Sequence, residues 1–105
     1  MEQPNLNYVE QLARGDEKIR QTLIDVIKTE FPTEKNEYYK SLAEKNYKKI
    51  EENVHKIKHK ISILGLEKSY ELANMYEHNL REKSRQGEAD FEQILNTMTA
   101  YIKTM

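Results

Sequence analysis

Apolar residues recur every three or four positions through most of the chain, which is the spacing of one face of an α-helix. Only three glycines and two prolines occur in 105 residues, too few for the many turns of an all-β fold. We therefore predict an all-α protein. The clearest apolar run, with steps of 3, 4, 3, 4 and 3, comprises Tyr47, Ile50, Val54, Ile57, Ile61 and Leu64.

Short polar residues, a glycine and a proline divide this pattern into segments. The segment "LNYVEQLA" predicts a short first helix, and Asp16 is a suitable N-cap for the next helix because its carboxylate can accept from first-turn amides. Pro32 is predicted to kink or interrupt that second helix, since proline lacks an amide donor. Asn46 is predicted to cap the central helix, and Gly65 is predicted to end it.

Gly87 separates a last amphipathic helix from the preceding one. Four principal helices with short connections most simply form an antiparallel up-down four-helix bundle, with the short extra N-terminal helix on its side or end. We expect residues 1–105 to form this single domain. The helices around the central one are predicted to bury Ile19, Leu23, Val26 or Ile27, Phe31, Leu66, Ser69, Leu72, Ala73, Tyr76, Leu80, Phe91, Ile94, Leu95, Met98, Tyr101, Ile102 and Met105.

The composition excludes several classes of function. With 17 basic and 18 acidic residues, the chain lacks the basic excess of a nucleic-acid-binding domain, so no nucleic-acid partner is expected. The absence of cysteine excludes disulfides and thiolate metal sites, and it fits a reducing compartment. No apolar run approaches the roughly 18 residues of a membrane span, and the N-terminus lacks a secretory signal pattern. We expect a cytoplasmic protein without a membrane anchor.

Two of the three histidines, His55 and His59, lie four residues apart in the stretch "HKIKH" of the central helix. An α-helix turns about 100° per residue, so His55 should lie roughly 100–130° from Val54, on the outward flank of the helix. The residues predicted to share this exposed flank are Lys48, Glu51, Lys58, His59 and Ser62.

Three interpretations of this flank remain open from the residues alone. An exposed histidine among lysines is most simply a solvated surface. Histidines at i and i+4 are also a common pair of metal ligands, but no Glu stands between them and the neighbouring lysines repel a cation, so no metal site is predicted. A neutral imidazole on a rigid helix is, thirdly, a nucleophile, and a lysine-rich flank would steer an acidic partner toward it.

The segment resembles the histidine phosphotransfer (HPt) domain, the relay module of multistep two-component signalling. That family's pattern reads His, any residue, Leu-like, Lys, Gly, four variable residues, Leu, Gly. Here it reads "HKIKHKISILG", from His55 to Gly65, with His59 in place of the usual Gly or other small residue. The likeness extends upstream to "ARGDEKIRQTLIDVIKTEFP" and downstream to Tyr76-Glu77, where the family has a Leu-Glu pair.

The resemblance implies a phosphoryl carrier in a bacterial-type multistep phosphorelay. His55 would accept the group on its distal ring nitrogen from a receiver aspartyl phosphate or from a kinase, and would pass it to another receiver domain. Lys58 would stabilise the phosphate, and His59 and Ser62 are candidate contacts on the same flank. Because the receiver supplies Mg²⁺ in this family, the protein is expected to need no cofactor of its own.

The implied partners are receiver domains of response regulators or a hybrid histidine kinase. The chain contains no GxxxxGK[ST] loop, so no autonomous kinase activity is predicted. A monomer is expected, because no exposed apolar stripe should remain once the bundle closes. The alternative is a non-catalytic helical-bundle interaction module that binds receiver domains or other proteins without carrying phosphate.

Overall fold

The computed structural model describes residues 2–105, and this part of the chain forms five α-helices and no β-strand. The short first helix precedes four longer ones, as predicted. The helices are α1 (Asn7–Ala13), α2 (Glu17–Ala43), α3 (Tyr47–Ile63), α4 (Glu67–Arg81) and α5 (Glu88–Ile102). None of the helices described is long and apolar enough to cross a lipid bilayer.

The four long helices form an antiparallel up-down bundle. Each packs against its neighbour in sequence, α5 closes back onto α2, and α1 packs on α2. The contacts between α2 and α5 show the antiparallel sense: Lys35 Nζ lies 2.8 Å from Thr99 Oγ1, and Tyr39 Oη lies 2.7 Å from Glu92 Oε1. The prediction of a four-helix bundle with a short extra N-terminal helix is therefore confirmed.

The helix boundaries follow the predicted caps. The Asp16 carboxylate accepts hydrogen bonds from two first-turn amides of α2, and the Asn46 side chain accepts from the Lys49 amide at the start of α3. Gly65 ends α3 with φ of 74°, in the left-handed region that favours glycine. These three predictions are confirmed. Each was made from the local chemistry of a few adjacent residues.

Pro32 does not interrupt α2, which runs unbroken from Glu17 to Ala43. Buried side chains on both sides of the proline, Phe31 and Tyr38 among them, hold the two halves of this helix against the same core. Pro32 itself is exposed, so the break in backbone hydrogen bonding lies on the side of the helix that water can reach. The prediction of an interruption was wrong.

The central helix buries the predicted stripe completely from Ile50 to Leu64, and the aromatic ring of Tyr47 packs partly buried at its start. Ile19 and Leu72, predicted to be buried on neighbouring helices, are exposed. The exposed fraction is 45 % for Ile19 and 42 % for Leu72. Ile19 lies about 140° around α2 from buried Ile24, and Leu72 lies about 100° around α4 from buried Ala73. Each side chain therefore points away from the seam that the rest of its helix buries.

The segment before α1 is attached to the turn between α3 and α4. The Glu2 carboxylate accepts from the backbone amides of Lys68 and Ser69, at 2.9 and 3.0 Å. Because Leu66, the N-cap residue of α4, has no side chain that can cap, Glu2 supplies the missing acceptor from a distant part of the chain. The amide of Asn5 also donates to the Leu64 carbonyl at 2.9 Å.

Candidate functional site

His55 lies near the middle of α3, on the flank of the helix that faces α4. Its side chain is 56 % exposed, whereas Val54 beside it is fully buried. The prediction that His55 is exposed on a core-forming helix is confirmed. The packed stripe fixes the backbone while the imidazole remains accessible to a partner.

The exposed imidazole contacts a buried carboxylate. His55 Nδ1 lies 3.3 Å from Glu77 Oε1, and only 5 % of the Glu77 side chain is exposed. The same oxygen lies 2.9 Å from Lys58 Nζ, and Arg81 donates to the other oxygen at 2.8 Å. Burial raises the pKa of Glu77, but hydrogen bonds from Lys58 and His55 and their charges outweigh burial, so its pKa lies below the ordinary value. Glu77 is therefore ionised at neutral pH.

This carboxylate determines which nitrogen of a neutral His55 carries the proton. An ionised carboxylate only accepts hydrogen bonds, so the contact requires the proton on Nδ1. The lone pair is then on Nε2, which has no hydrogen-bond partner among residues 2–105. The arrangement therefore presents Nε2 as an accessible nucleophile.

Lys58 does not lie on the exposed flank, where the sequence analysis placed it. Only 6 % of the residue is exposed. Besides Glu77, the ammonium donates to Asn74 Oδ1 at 2.9 Å and lies 5.3 Å from the centre of the Tyr70 ring. The physical reason is the helical turn: Lys58 follows Val54 by four residues and so lies about 40° from the buried stripe. Its charge is directed to α4 and not to the open side of His55.

The lysine-rich flank of α3 is not a free positive surface. Lys60 is buried and lies 2.8 Å from Glu30 and 3.3 Å from Glu34, both on α2, and Lys56 lies 3.8 Å from Glu37. Acids of α2 and α4 therefore face three of the lysines on this helix, Lys56, Lys58 and Lys60, whereas Lys48 and Lys49 are exposed. Beside His55, Glu77 faces both Lys58 and Arg81, and Arg81 also faces Glu51.

His59 and Ser62, the candidate flank contacts, lie in different surroundings. The His59 ring is exposed and approaches the His55 ring edge-on, with centroids 5.1 Å apart and planes at 72°. Ser62 is also exposed, but it lines a separate cavity of about 620 Å³ together with Tyr8 and Tyr70. The structure thus brings His59, and not Ser62, beside His55.

Sequence reasoning assigned no role at His55 to Glu77, Asn74 or Arg81. The contact between His55 and Glu77 joins residues 22 positions apart on two helices, so no local spacing reveals it. One signal was present: Glu77 follows Ala73 by four residues and so lies about 40° from a buried position, an unusual register for an acid. An acid on a core-facing register requires a cation nearby, and Lys58 and Arg81 provide two.

Within residues 2–105, no group of three or more His, Cys, Asp or Glu side chains is arranged to hold a metal ion. Comparisons of the chain with protein-family models, with curated proteins and with solved structures find no match. The functional assignment therefore depends on the geometry at His55 and on the motif around it.

Proposed function

We propose that the protein is a histidine-containing phosphotransfer intermediate, which accepts a phosphoryl group on Nε2 of His55 and passes it to a receiver domain. The observation that carries the proposal is the contact between an exposed imidazole and the buried, ionised carboxylate of Glu77. The HPt-like pattern from His55 to Gly65 and the four-helix bundle support the same function.

The chemistry of acceptance follows from the tautomer. Nε2 attacks the phosphorus of a receiver aspartyl phosphate, the N–P bond forms as the P–O bond breaks, and the aspartyl carboxylate leaves with the electron pair. Nδ1 keeps its proton throughout, so the phosphorylated ring carries a positive charge. Glu77 faces that charge at the nitrogen 3.3 Å away, and it stabilises the phosphorylated ring more than the neutral one. Transfer to the next receiver is the reverse of this step.

Lys58 and Arg81 act in this proposal through Glu77. Their contacts at 2.9 and 2.8 Å orient the carboxylate and offset the cost of burying its charge. Both act in this proposal as positioning residues, since their contacts are with the Glu77 carboxylate. For Lys58, this contact with Glu77 takes the place of the direct contact with phosphate that the motif implies.

The proposal defines the partners and the location. A receiver domain, or a kinase that carries one, supplies the aspartyl phosphate, the acidic pocket and Mg²⁺, and this chain supplies a positioned nucleophile. The protein needs no nucleotide and carries out no phosphorylation of its own. It acts as a monomer in the cytoplasm, where its receiver partners operate.

Transfer of a radiolabelled phosphoryl group from phosphorylated receiver domains, in the presence of Mg²⁺, tests the proposal. The acceptors are the wild type, His55→Gln and His78→Gln. His78 is a matched control, because it is an exposed histidine on α4 whose Nε2 lies 3.8 Å from the exposed carboxylate of Glu82. We expect label on the wild type and on His78→Gln, none on His55→Gln, and an adduct that is labile in acid and stable in base.

Label of equal intensity on His55→Gln would reject His55 as the acceptor. If no receiver labels the wild type, while a receiver still binds both the wild type and His55→Gln with equal affinity, the protein is instead a non-catalytic interaction module. Circular dichroism of each variant checks that the bundle remains folded.

A further inference from the structure

We infer that His59 contacts the phosphoryl group carried by His55 and donates a hydrogen bond to it. This inference rests on the proposed function and assigns a role to a residue that differs from the HPt-like pattern. It concerns the lifetime of the phosphorylated state, not the identity of the acceptor.

Distance is the first support. The His59 ring lies one helical turn after His55 on the same exposed flank, with its centroid 5.1 Å from that of His55. A phosphoryl group on Nε2 extends beyond the ring edge, and at this ring separation it can bring an oxygen within hydrogen-bond reach of the neighbouring imidazole. A neutral imidazole has one N–H to donate and a protonated one has two, so His59 can serve as a donor in either state.

The second support is that the other basic side chains near His55 already form ion pairs. Lys58 is buried against Glu77, and Arg81 is held by Glu51 at 2.9 Å and by Glu77 at 2.8 Å. Lys56 lies 3.8 Å from Glu37, an acid on α2. By contrast, His59 forms no ion pair with any residue between 2 and 105, and its contact is the ring of His55. It is the basic side chain near His55 that has no carboxylate to satisfy.

Charge balance is the third support. The cations Lys58, Arg81 and Lys56 already face carboxylates before phosphorylation. A phosphoryl group adds roughly two negative charges, and the positive charge on the ring already faces Glu77. The added negative charge lies on the exposed side of His55, which the His59 ring shares. A small residue at position 59 would leave that side to water.

Chemical phosphorylation of the full chain with phosphoramidate tests the inference without any receiver. In this reaction the P–N bond of the reagent breaks, ammonia leaves, and the new N–P bond forms on the imidazole. His59→Ala removes the donor, and His59→Lys restores a donor with a positive charge. His55→Gln is a control that identifies any adduct formed on His59 itself. Each protein also carries His78→Gln, so that the third histidine does not react.

The lifetime of the His55 adduct is followed by phosphorus NMR, and the ring protons of His59 are followed in the same samples. We expect the His59→Ala adduct to decay about tenfold faster than the wild-type adduct, the effect of losing one hydrogen bond to a charged group. We expect His59→Lys to recover the wild-type lifetime, and the His59 ring protons to shift when His55 is phosphorylated. An unchanged lifetime in His59→Ala, or no recovery in His59→Lys, would overturn the inference.

The two proposals fail separately. If receivers do not label His55 but the phosphoramidate adduct still depends on residue 59, the proposed function is rejected and the contact between His59 and the phosphoryl group stands. If receivers label His55 normally and the adduct lifetime is indifferent to residue 59, the contact is rejected and the carrier function stands.

Discussion

His55 and Glu77 meet across the seam between α3 and α4, with 3.3 Å between Nδ1 and Oε1, although 56 % of the first side chain and only 5 % of the second is exposed. The pair therefore connects the solvent side of the bundle to its interior. On the buried side, two cations hold the carboxylate; on the open side, Nε2 is available to a partner. This asymmetry distinguishes His55 from His78, whose acidic neighbour Glu82 is itself exposed.

Glu77→Gln is expected to slow phosphoryl transfer to His55. The amide has no negative charge to stabilise the phosphorylated ring, and it can also donate to Nδ1 and so favour the wrong tautomer. We expect the initial rate of transfer from a phosphorylated receiver to fall by about tenfold or more, which corresponds to a loss of about 1.4 kcal/mol.

The matched control for this prediction is Glu82→Gln, which removes an exposed acid from the same helix. Its transfer rate should equal that of the wild type. A wild-type rate in Glu77→Gln would show that the carboxylate is structural and does not act on the imidazole.

Acid is expected to destabilise the bundle through Glu77. Burial raises the pKa of Glu77, but the hydrogen bonds and charges of Lys58 and His55 hold this pKa below its ordinary value. A carboxyl with a depressed folded-state pKa contributes stability that is complete above its unfolded pKa of about 4.3 and is lost as the pH falls through the folded value. The urea midpoint of the wild type should fall as the pH decreases from about 5 to about 3.

Glu77→Gln has no titrating group at this position, so its urea midpoint should change less over the same pH range. The comparison between the two proteins isolates Glu77 from the other carboxyl groups, which titrate in both. Parallel pH profiles for the two proteins would refute the assignment.

Lys58→Met is expected to destabilise the fold by about 3 kcal/mol, because it leaves the buried carboxylate of Glu77 with one cation where it had two. Methionine keeps an unbranched apolar side chain in the buried position of Lys58, so the loss reports the missing charge. Chemical denaturation measures it directly.

Lys56→Met is the comparison for this prediction, since Lys56 is more than half exposed and lies 3.8 Å from an exposed Glu37. Its free energy of unfolding should stay within about 0.5 kcal/mol of the wild type. Equal losses in Lys56→Met and Lys58→Met would mean that burial of the Lys58 pair has no energetic consequence.

Glu2→Gln is expected to lower the stability of the bundle by about 1 kcal/mol. The carboxylate accepts from two amides at the start of α4 and interacts favourably with the positive end of that helix, whereas an amide is a weaker acceptor. The control is Glu71→Gln, because Glu71 is an exposed acid one turn further along α4. Thermal melting of the two variants measures the difference in their stability. Equal melting temperatures in the two variants would indicate that Glu2 does not cap the helix.

Sequence reasoning succeeded where the determining interactions are local. The stripe from Ile50 to Leu64, the caps at Asp16 and Asn46 and the stop at Gly65 each depend on a few adjacent residues, and all are present in the structure. The exposure of His55 followed from the same helical geometry.

Sequence reasoning failed where the outcome depends on what a neighbouring helix presents. The spacing within α3 places Lys58 beside the buried stripe, but it does not contain the acids that pair with the buried lysines: Glu77 of α4 for Lys58, and Glu30 and Glu34 of α2 for Lys60. Pro32 is accommodated for a similar reason, since the core on either side of it stabilises a helix that the local chemistry disfavours.

Because the site is divided between α3 and α4, the proposed reactivity of His55 depends on the tertiary structure. A peptide of α3 alone would contain the histidine and most of the motif but no carboxylate to select its tautomer. A loosened bundle that kept every helix but let α3 and α4 separate would show normal helical content and a histidine no more reactive than free imidazole. If the proposed chemistry holds, the smallest unit that carries it is the hairpin of α3 and α4, and transplanting the site into another scaffold requires both helices in register.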